Sequence, residues 1–165
     1  MNNFPLIQNN ITRDDLKKVQ KFLSKKQILL TQSENVRLFE KAWSKWLGVK
    51  YSIFVNSGSS ANLVSMSIIK HLYGEGEVIV PALTWVSDIA SIIQNNLKPR
   101  FIDIDLNTLS LSADQLSKKI NKRTKAIFIT HAQGFNGFNE KFFEVTKKFK
   151  IPIIEDVCES HGAMF

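Results

Sequence analysis

The sequence has a single cysteine, Cys158, among 165 residues. No internal disulfide can form, and a reducing, cytoplasmic setting is the natural expectation. Long hydrophobic runs are missing too. The most apolar stretch, residues 78–93, is broken by Pro81 and Asp88. A membrane helix needs roughly 18 consecutive apolar residues. Met1-Asn2-Asn3-Phe4-Pro5 lacks the basic and then apolar pattern of a secretory signal.

Several chemical motifs are also absent. No Gly-x-x-x-x-Gly-Lys-Ser/Thr loop occurs, which argues against P-loop hydrolysis. No Gly-x-Gly-x-x-Gly follows the first strand-like run, which disfavours a dinucleotide site. No Gly-x-Ser-x-Gly elbow supports a hydrolase triad. No basic run interleaved with aromatics marks a nucleic-acid platform. Neither nucleic acid nor a membrane is therefore expected as a partner. No internal repeat or low-complexity tract is visible.

What is present has globular proportions, with 44% hydrophobic and 22% charged residues. The formal net charge of +7 permits anionic ligands without choosing among them. Much of that charge falls in pairs on helical polar faces, such as Lys17 with Lys18 and Lys147 with Lys148.

Two helices are predicted first. Thr12 and Asp15 form a capping pattern ahead of Leu16, Val19, Phe22 and Leu23. Residues 34–47 follow, with Val36, Phe39, Trp43, Trp46 and Leu47 on one face and Gly48 as C-cap. Five strands are then predicted at 51–55, 77–80, 100–104, 126–130 and 151–155. Helical patterns fill the intervals at 60–72, 87–94, 113–120 and 139–149, with Ser112 and Gln115 as a second capping box. Alternation at a step of about 25 residues argues for an α/β fold with a mainly parallel sheet. Near-continuous apolar strands such as Ala126-Ile127-Phe128-Ile129 suit a sheet covered on both faces. This gives an N-terminal helical segment over 1–50 and an α/β domain over 51–165. No helical pattern follows the last strand, so the domain reads as incomplete at its C-terminus, and poor folding of the isolated chain is expected.

Ligands of open α/β sheets bind beyond the carboxyl ends of the strands. Asn56-Ser57-Gly58-Ser59-Ser60-Ala61 fits either a phosphate cradle at a helix start or an ordinary serine cap. Trp85 fits stacking on a flat ring or packing in a core. Asp156, after the apolar Ile151-Pro152-Ile153-Ile154, fits pairing with a protonated ring nitrogen or a turn. Asp103 and Asp105 read as turn formers. Cys158, Glu159 and His161 are too few and too close for a zinc site.

Taken in order, these stretches resemble a known family. They are Leu30-Thr31-Gln32 with the following Phe39-Glu40-Lys41; Leu47-Gly48-Val49-Lys50-Tyr51; Asn56-Ser57-Gly58-Ser59-Ser60-Ala61-Asn62; Val78-Ile79-Val80-Pro81-Ala82-Leu83-Thr84-Trp85; Phe101-Ile102-Asp103-Ile104-Asp105; and Ile153-Ile154-Glu155-Asp156 with His161-Gly162-Ala163. The resemblance is to the DegT/DnrJ-type sugar-nucleotide aminotransferases, fold-type I pyridoxal 5'-phosphate enzymes. It implies a three-layer large domain, here incomplete. It also implies that Gly58, Ser59 and Ser60 hold the cofactor phosphate, that Trp85 stacks on the pyridine ring, and that Asp156 pairs with the ring nitrogen. Glu159 stands where most members carry a glutamine that contacts the ring hydroxyl. The family's Schiff-base lysine is expected beyond Phe165, so no catalytic residue is assigned within the chain.

The activity implied is transfer of an amino group from an amino acid, glutamate by preference, to a nucleotide-linked keto-sugar. Such a reaction feeds surface-polysaccharide or related glycan synthesis. The resemblance also implies a homodimer. The alternatives are a keto-sugar 3-dehydratase of the same family, with histidine in place of the lysine, a non-catalytic binding or regulatory relative, and an unrelated nucleotide-binding domain.

Overall fold

The computed structural model describes residues 10–164. The reading of Met1 to Pro5 as lacking a signal therefore lies outside the described residues. The chain divides into two compact units, with the division between Phe54 and Val55.

The first unit contains α1 (Arg13–Leu23) and α2 (Glu34–Leu47). The capping box ahead of α1 forms as its spacing predicts. Asp15 N–H donates to Thr12 Oγ1 at 3.2 Å, and Thr12 N–H donates to Asp15 Oδ2 at 2.9 Å. Gly48 closes α2 at φ 76°, a left-handed conformation that glycine adopts without steric penalty. The aromatic face of α2 is real. Phe39 stacks on Trp43 with centroids 5.7 Å apart, and Trp43 lies 4.9 Å from Trp46. Neither helix carries a buried residue.

The expected strand at 51–55 is not a strand. It makes no ladder pairing among the described residues, and Phe54 N–H donates to the Glu40 carboxylate at 2.8 Å instead. A strand exists only through its partner, and β-rich composition cannot supply one.

The second unit opens with α3 (Gly58–Tyr73) and continues with β1 (Glu77–Pro81), α4 (Val86–Gln94) and β2 (Lys98–Ile102). The short strands β3 (Ile104–Asp105) and β4 (Ser110–Leu111) come next, then α5 (Ala113–Lys119) and β5 (Thr124–Thr130). A 3₁₀ turn at Ala132–Gly134, α6 (Glu140–Phe149) and β6 (Ile153–Asp156) complete it. The main sheet has the order β2-β1-β5-β6, and every pairing in it is parallel.

Strand alternation sends successive side chains to opposite faces. Val78, Val80, Ala126 and Phe128 pack with Met66 and Ile69 of α3 and Ile92 of α4. Ile79, Ile127 and Ile129 pack with Leu116 of α5 and Phe142 and Val145 of α6. The sheet is thus the middle of three layers. Burial on both faces explains why β1 and β5 read as unbroken apolar runs.

Two local expectations are corrected. Ile104 does not extend β2. Its N–H is taken by the Asp103 carboxylate at 2.9 Å, and the chain turns into the small β3–β4 hairpin. The Ser112–Gln115 capping box does not form, because the Gln115 side chain accepts from Asp103 N–H instead. Asp105 acts as the turn former expected, accepting from Asn107 N–H at 2.8 Å.

Phe128 is fully buried at the centre of one face. Phe128→Ala is expected to lower stability by about 3–5 kcal/mol. Urea denaturation of the full chain with and without the substitution checks this.

Candidate functional site

The carboxyl end of β6 with the residues that follow it, and the N-termini of α3 and α4, converge on one cleft of about 510 Å³. Each arrives for a local reason. Ser57 is extended at φ −161° and caps α3, its hydroxyl accepting from Ser60 N–H at 3.2 Å. That leaves the first turn of a 16-residue helix, beginning Gly58-Ser59, facing the cleft with the positive end of the helix dipole. Trp85 is the N-cap residue of α4, 62% exposed, with its indole lining the opening. Asp156 ends β6 directly across the ladder from Thr130.

Gly58, Ser59, Trp85 and Asp156 line one cleft. Ser60 stands beside it with its backbone turned to the Ser57 cap. The Glu159 carboxylate is turned to the β5–α6 connection, where it accepts from Gln133 N–H at 2.7 Å. Gln133 sits at φ 57°, and this bond holds its left-handed backbone in place.

Behind the cleft lies a buried polar group that the sequence reading passed over. Asp88, on the first turn of α4, is 0% exposed. Its Oδ1 accepts from Asn62 Nδ2 at 2.7 Å. Its Oδ2 lies 2.5 Å from Thr84 Oγ1 and 2.9 Å from Thr130 Oγ1. The two threonine hydroxyls are themselves 2.6 Å apart. Asn62 Nδ2 also reaches Asp156 Oδ2 at 3.5 Å, so one amide spans both carboxyl groups.

The two acids are held in opposite states of readiness. Burial pushes Asp88 up to about 6, with the Asp156 charge adding to the rise and the threonine hydroxyls opposing it. Burial also acts on Asp156. There it is outweighed by hydrogen bonds from Cys158, Asp88 and Asn62, which hold Asp156 below the usual carboxylate range. Cys158 N–H donates to Asp156 Oδ1 at 3.0 Å. Partial burial and the Asp156 carboxylate push the Cys158 thiol up to about 12.

A signal for Asp88 was present in the sequence. It shares the buried side of α4 with Ser91 and Ile92, where an acid needs a partner. Thr84 and Thr130 carried no signal, because their meaning lies only in where the strands end. Among the described residues no three His, Cys, Asp or Glu side chains converge to hold a metal ion.

The pattern of the DegT/DnrJ/EryC1/StrS aminotransferase family matches residues 9–165. The chain belongs to that family. It is 35% identical over 168 residues to the GDP-4-keto-6-deoxy-D-mannose 3-dehydratase of Yersinia pseudotuberculosis, covering 99% of this chain and 42% of that protein. It is 37% identical over 131 residues to the GDP-perosamine synthase of Caulobacter vibrioides, covering 77% of this chain and 34% of that protein. The solved structure of an E. coli GDP-4-keto-6-deoxy-D-mannose-3-dehydratase with bound hydrated PLP superposes with a TM-score of 0.89 at 31% identity, over 99% of this chain and 43% of that one. The chain thus spans about two fifths of the length of the relatives it matches over its whole extent. Members of the family so matched include both sugar aminotransferases and sugar dehydratases. No helix among the described residues is long and apolar enough to cross a membrane.

Replacing Thr130 by valine removes a hydroxyl from the Asp88 cluster while keeping its shape. The expected loss of stability is about 1–3 kcal/mol, the penalty for leaving a buried acid short of a partner. Adding Thr84→Val should cost more than its own single effect, because the Asp88 oxygen then loses its last hydroxyl partner. Denaturation of the two single variants and the double variant measures this directly.

Proposed function

We propose that this chain forms the cofactor-binding wall of a pyridoxal-phosphate enzyme that acts on a nucleotide-linked keto-sugar. The carrying observation is the convergence of Gly58 and Ser59 at a helix N-terminus, Trp85 and Asp156 around one cleft at the carboxyl edge of a parallel sheet. These residues fit the group. The first turn of α3 offers backbone N–H groups and a positive dipole end to a phosphate. Ser60 belongs to the same turn; its N–H is taken by the Ser57 cap, which leaves its hydroxyl for the phosphate. Trp85 presents an exposed indole on which a flat ring can stack. Asp156, held ionised by Cys158 and Asn62, supplies a negative charge to a protonated ring nitrogen.

When bound, pyridoxal phosphate supplies an electron sink for charge that develops at a substrate carbon. The part played by this chain is to hold that ring and keep it protonated. Cys158 N–H and Asn62 Nδ2 fix the Asp156 carboxylate from two sides, so its charge is aimed before any ligand arrives. Glu159 follows Cys158 of the cleft wall, and its carboxylate orders the chain at Gln133. A carboxylate there in place of a glutamine amide offers acceptors only and no donor.

The reaction we infer is amino transfer to the keto-sugar, with glutamate as donor, in polysaccharide or related glycan synthesis. Dehydration at the sugar's third carbon is the second reading. It is favoured by the extent of similarity, since the dehydratase of Yersinia pseudotuberculosis matches over 99% of this chain. A homodimer is part of the proposal. Val64, Ile68 and Leu72 repeat at a four-residue spacing along α3 and are all exposed, which leaves an apolar stripe for a second copy to cover. A cytoplasmic setting follows from the activated sugar substrate.

Titration of the full chain with pyridoxal phosphate tests the cofactor, with binding followed by visible absorbance. Asp156→Asn is expected to weaken binding by about tenfold to a hundredfold, the loss of one charged hydrogen bond. Binding unchanged by that substitution would remove Asp156 from the assignment. Incubation with a nucleotide keto-sugar and glutamate then separates the two reactions, one giving an amino sugar and the other a 3-deoxy sugar.

A further inference from the structure

The arrangement around Asp88 poses a problem of proton count. Three oxygens, Asp88 Oδ2, Thr84 Oγ1 and Thr130 Oγ1, lie within 2.5 to 2.9 Å of one another in a closed triangle. Each edge is short enough to need a proton between its oxygens. Two threonine hydroxyls supply two protons. With Asp88 ionised, both hydroxyls turn to the carboxylate, and the 2.6 Å contact between them is left with two facing lone pairs. One proton on Asp88 Oδ2 fills the third edge and lets donors and acceptors run once around the ring. The other oxygen, Oδ1, is already an acceptor from Asn62 Nδ2.

We propose that Asp88 is a positioning residue that carries the single proton of a carboxyl pair with Asp156, enclosed in a ring with the Thr84 and Thr130 hydroxyls. Asp156 is the ionised member. Its charge then faces the cleft, while the acid behind it contributes hydrogen bonds and no competing charge. Asn62 transmits the arrangement, since the same amide nitrogen lies 2.7 Å from Asp88 and 3.5 Å from Asp156.

The surroundings support this division. Asp88 is enclosed by α3 through Asn62, by the β1–α4 loop through Thr84, by β5 through Thr130 and by β6 through Asp156. The titratable groups acting on it or beside it include Asp156 and Cys158, and His161 lines the same cleft as those two. Cys158 keeps its proton and adds no charge. His131, next after Thr130, is turned away, its Nε2 donating to Glu155 while its Nδ1 accepts from Gly137 N–H. Burial and a neighbouring negative charge are what raise Asp88, and a proton neutralises it. Burial and the Asp156 charge both favour that proton.

The consequence for pH has a definite sign. An acid whose affinity for protons is higher folded than unfolded stabilises the fold at low pH, and that stability is lost as pH rises through its folded value. For Asp88 that value is about 6. Asp156, shifted the other way, gives the opposite trend in more acidic solution.

What this means for ring pairing rests on the proposed cofactor. The test uses the cofactor-free full chain, so the two readings fail separately. Infrared difference spectra between about pH 4 and about pH 8 should show the carbonyl stretch of a protonated carboxyl titrating near pH 6. Asp88→Asn should abolish that signal. In Asp156→Asn the signal should survive and shift to lower pH, because the neighbouring charge is gone. Denaturation gives a second readout: Asp88→Asn should gain stability relative to the parent chain as pH rises from about 4 to about 7, across the interval between the ordinary and the raised value. A spectrum of the parent chain with no such carboxyl signal overturns the proposal. So does a signal that persists in Asp88→Asn, or a stability difference that is flat with pH.

Discussion

The parallel pairing of β5 with β1 on one side and β6 on the other is the constraint on which the molecule depends. It sets Thr130 opposite Asp156 and brings the end of β6 beside the ends of the two central strands. The apolar residues of β5 hold this register. Ala126 and Phe128 are committed to one helical layer, Ile127 and Ile129 to the other. A slip of one residue would turn each of them to the wrong face, so the core itself enforces the placement of the polar residues at the strand ends.

Those polar residues sit where the apolar core stops. An acid as buried as Asp88 is unfavourable unless it is hydrogen-bonded, and here its partners come from three places far apart in sequence: Asn62, Thr84 and Thr130. Thr84 lies only four residues before Asp88, but Asn62 and Thr130 cannot serve before the sheet has formed. The cluster is therefore a product of the tertiary structure and also a brace across it, tying α3, α4 and β5 together just behind the cleft. Asp156 belongs to the same network but faces outward, and backbone N–H donation from Cys158 favours its charge. The opposite tendencies of two neighbouring carboxyl groups follow from these different surroundings.

Elements whose signals are local were legible in the sequence. The Thr12–Asp15 box, the Gly48 cap and Asn139 at the start of α6 depend on residues within one turn, and each forms where the spacing placed it. Elements defined by distant partners were not. Residues 51–55 have the composition of a strand and no ladder. Gln115, at the capping position of α5, bonds Asp103 instead. Of the cleft lining, Gly58, Ser59, Trp85 and Asp156 could be named in advance because motif order carries them. The direction of the Glu159 carboxylate could not, because it depends on the backbone of Gln133 on another loop.

The sequence by itself determined the layer architecture, the family and the loops that meet at the cleft. Hydrophobic periodicity and motif order are written along the chain and survive without coordinates. Only the tertiary structure decided which oxygen faces which: that Asp88 is walled in by two threonines, that Asn62 spans two acids, and that Asp156 is the one turned to the cleft. Hydrogen bonding and burial are properties of position in space, and residues 26, 42 and 94 places apart in sequence acquire them only when the sheet brings them within reach.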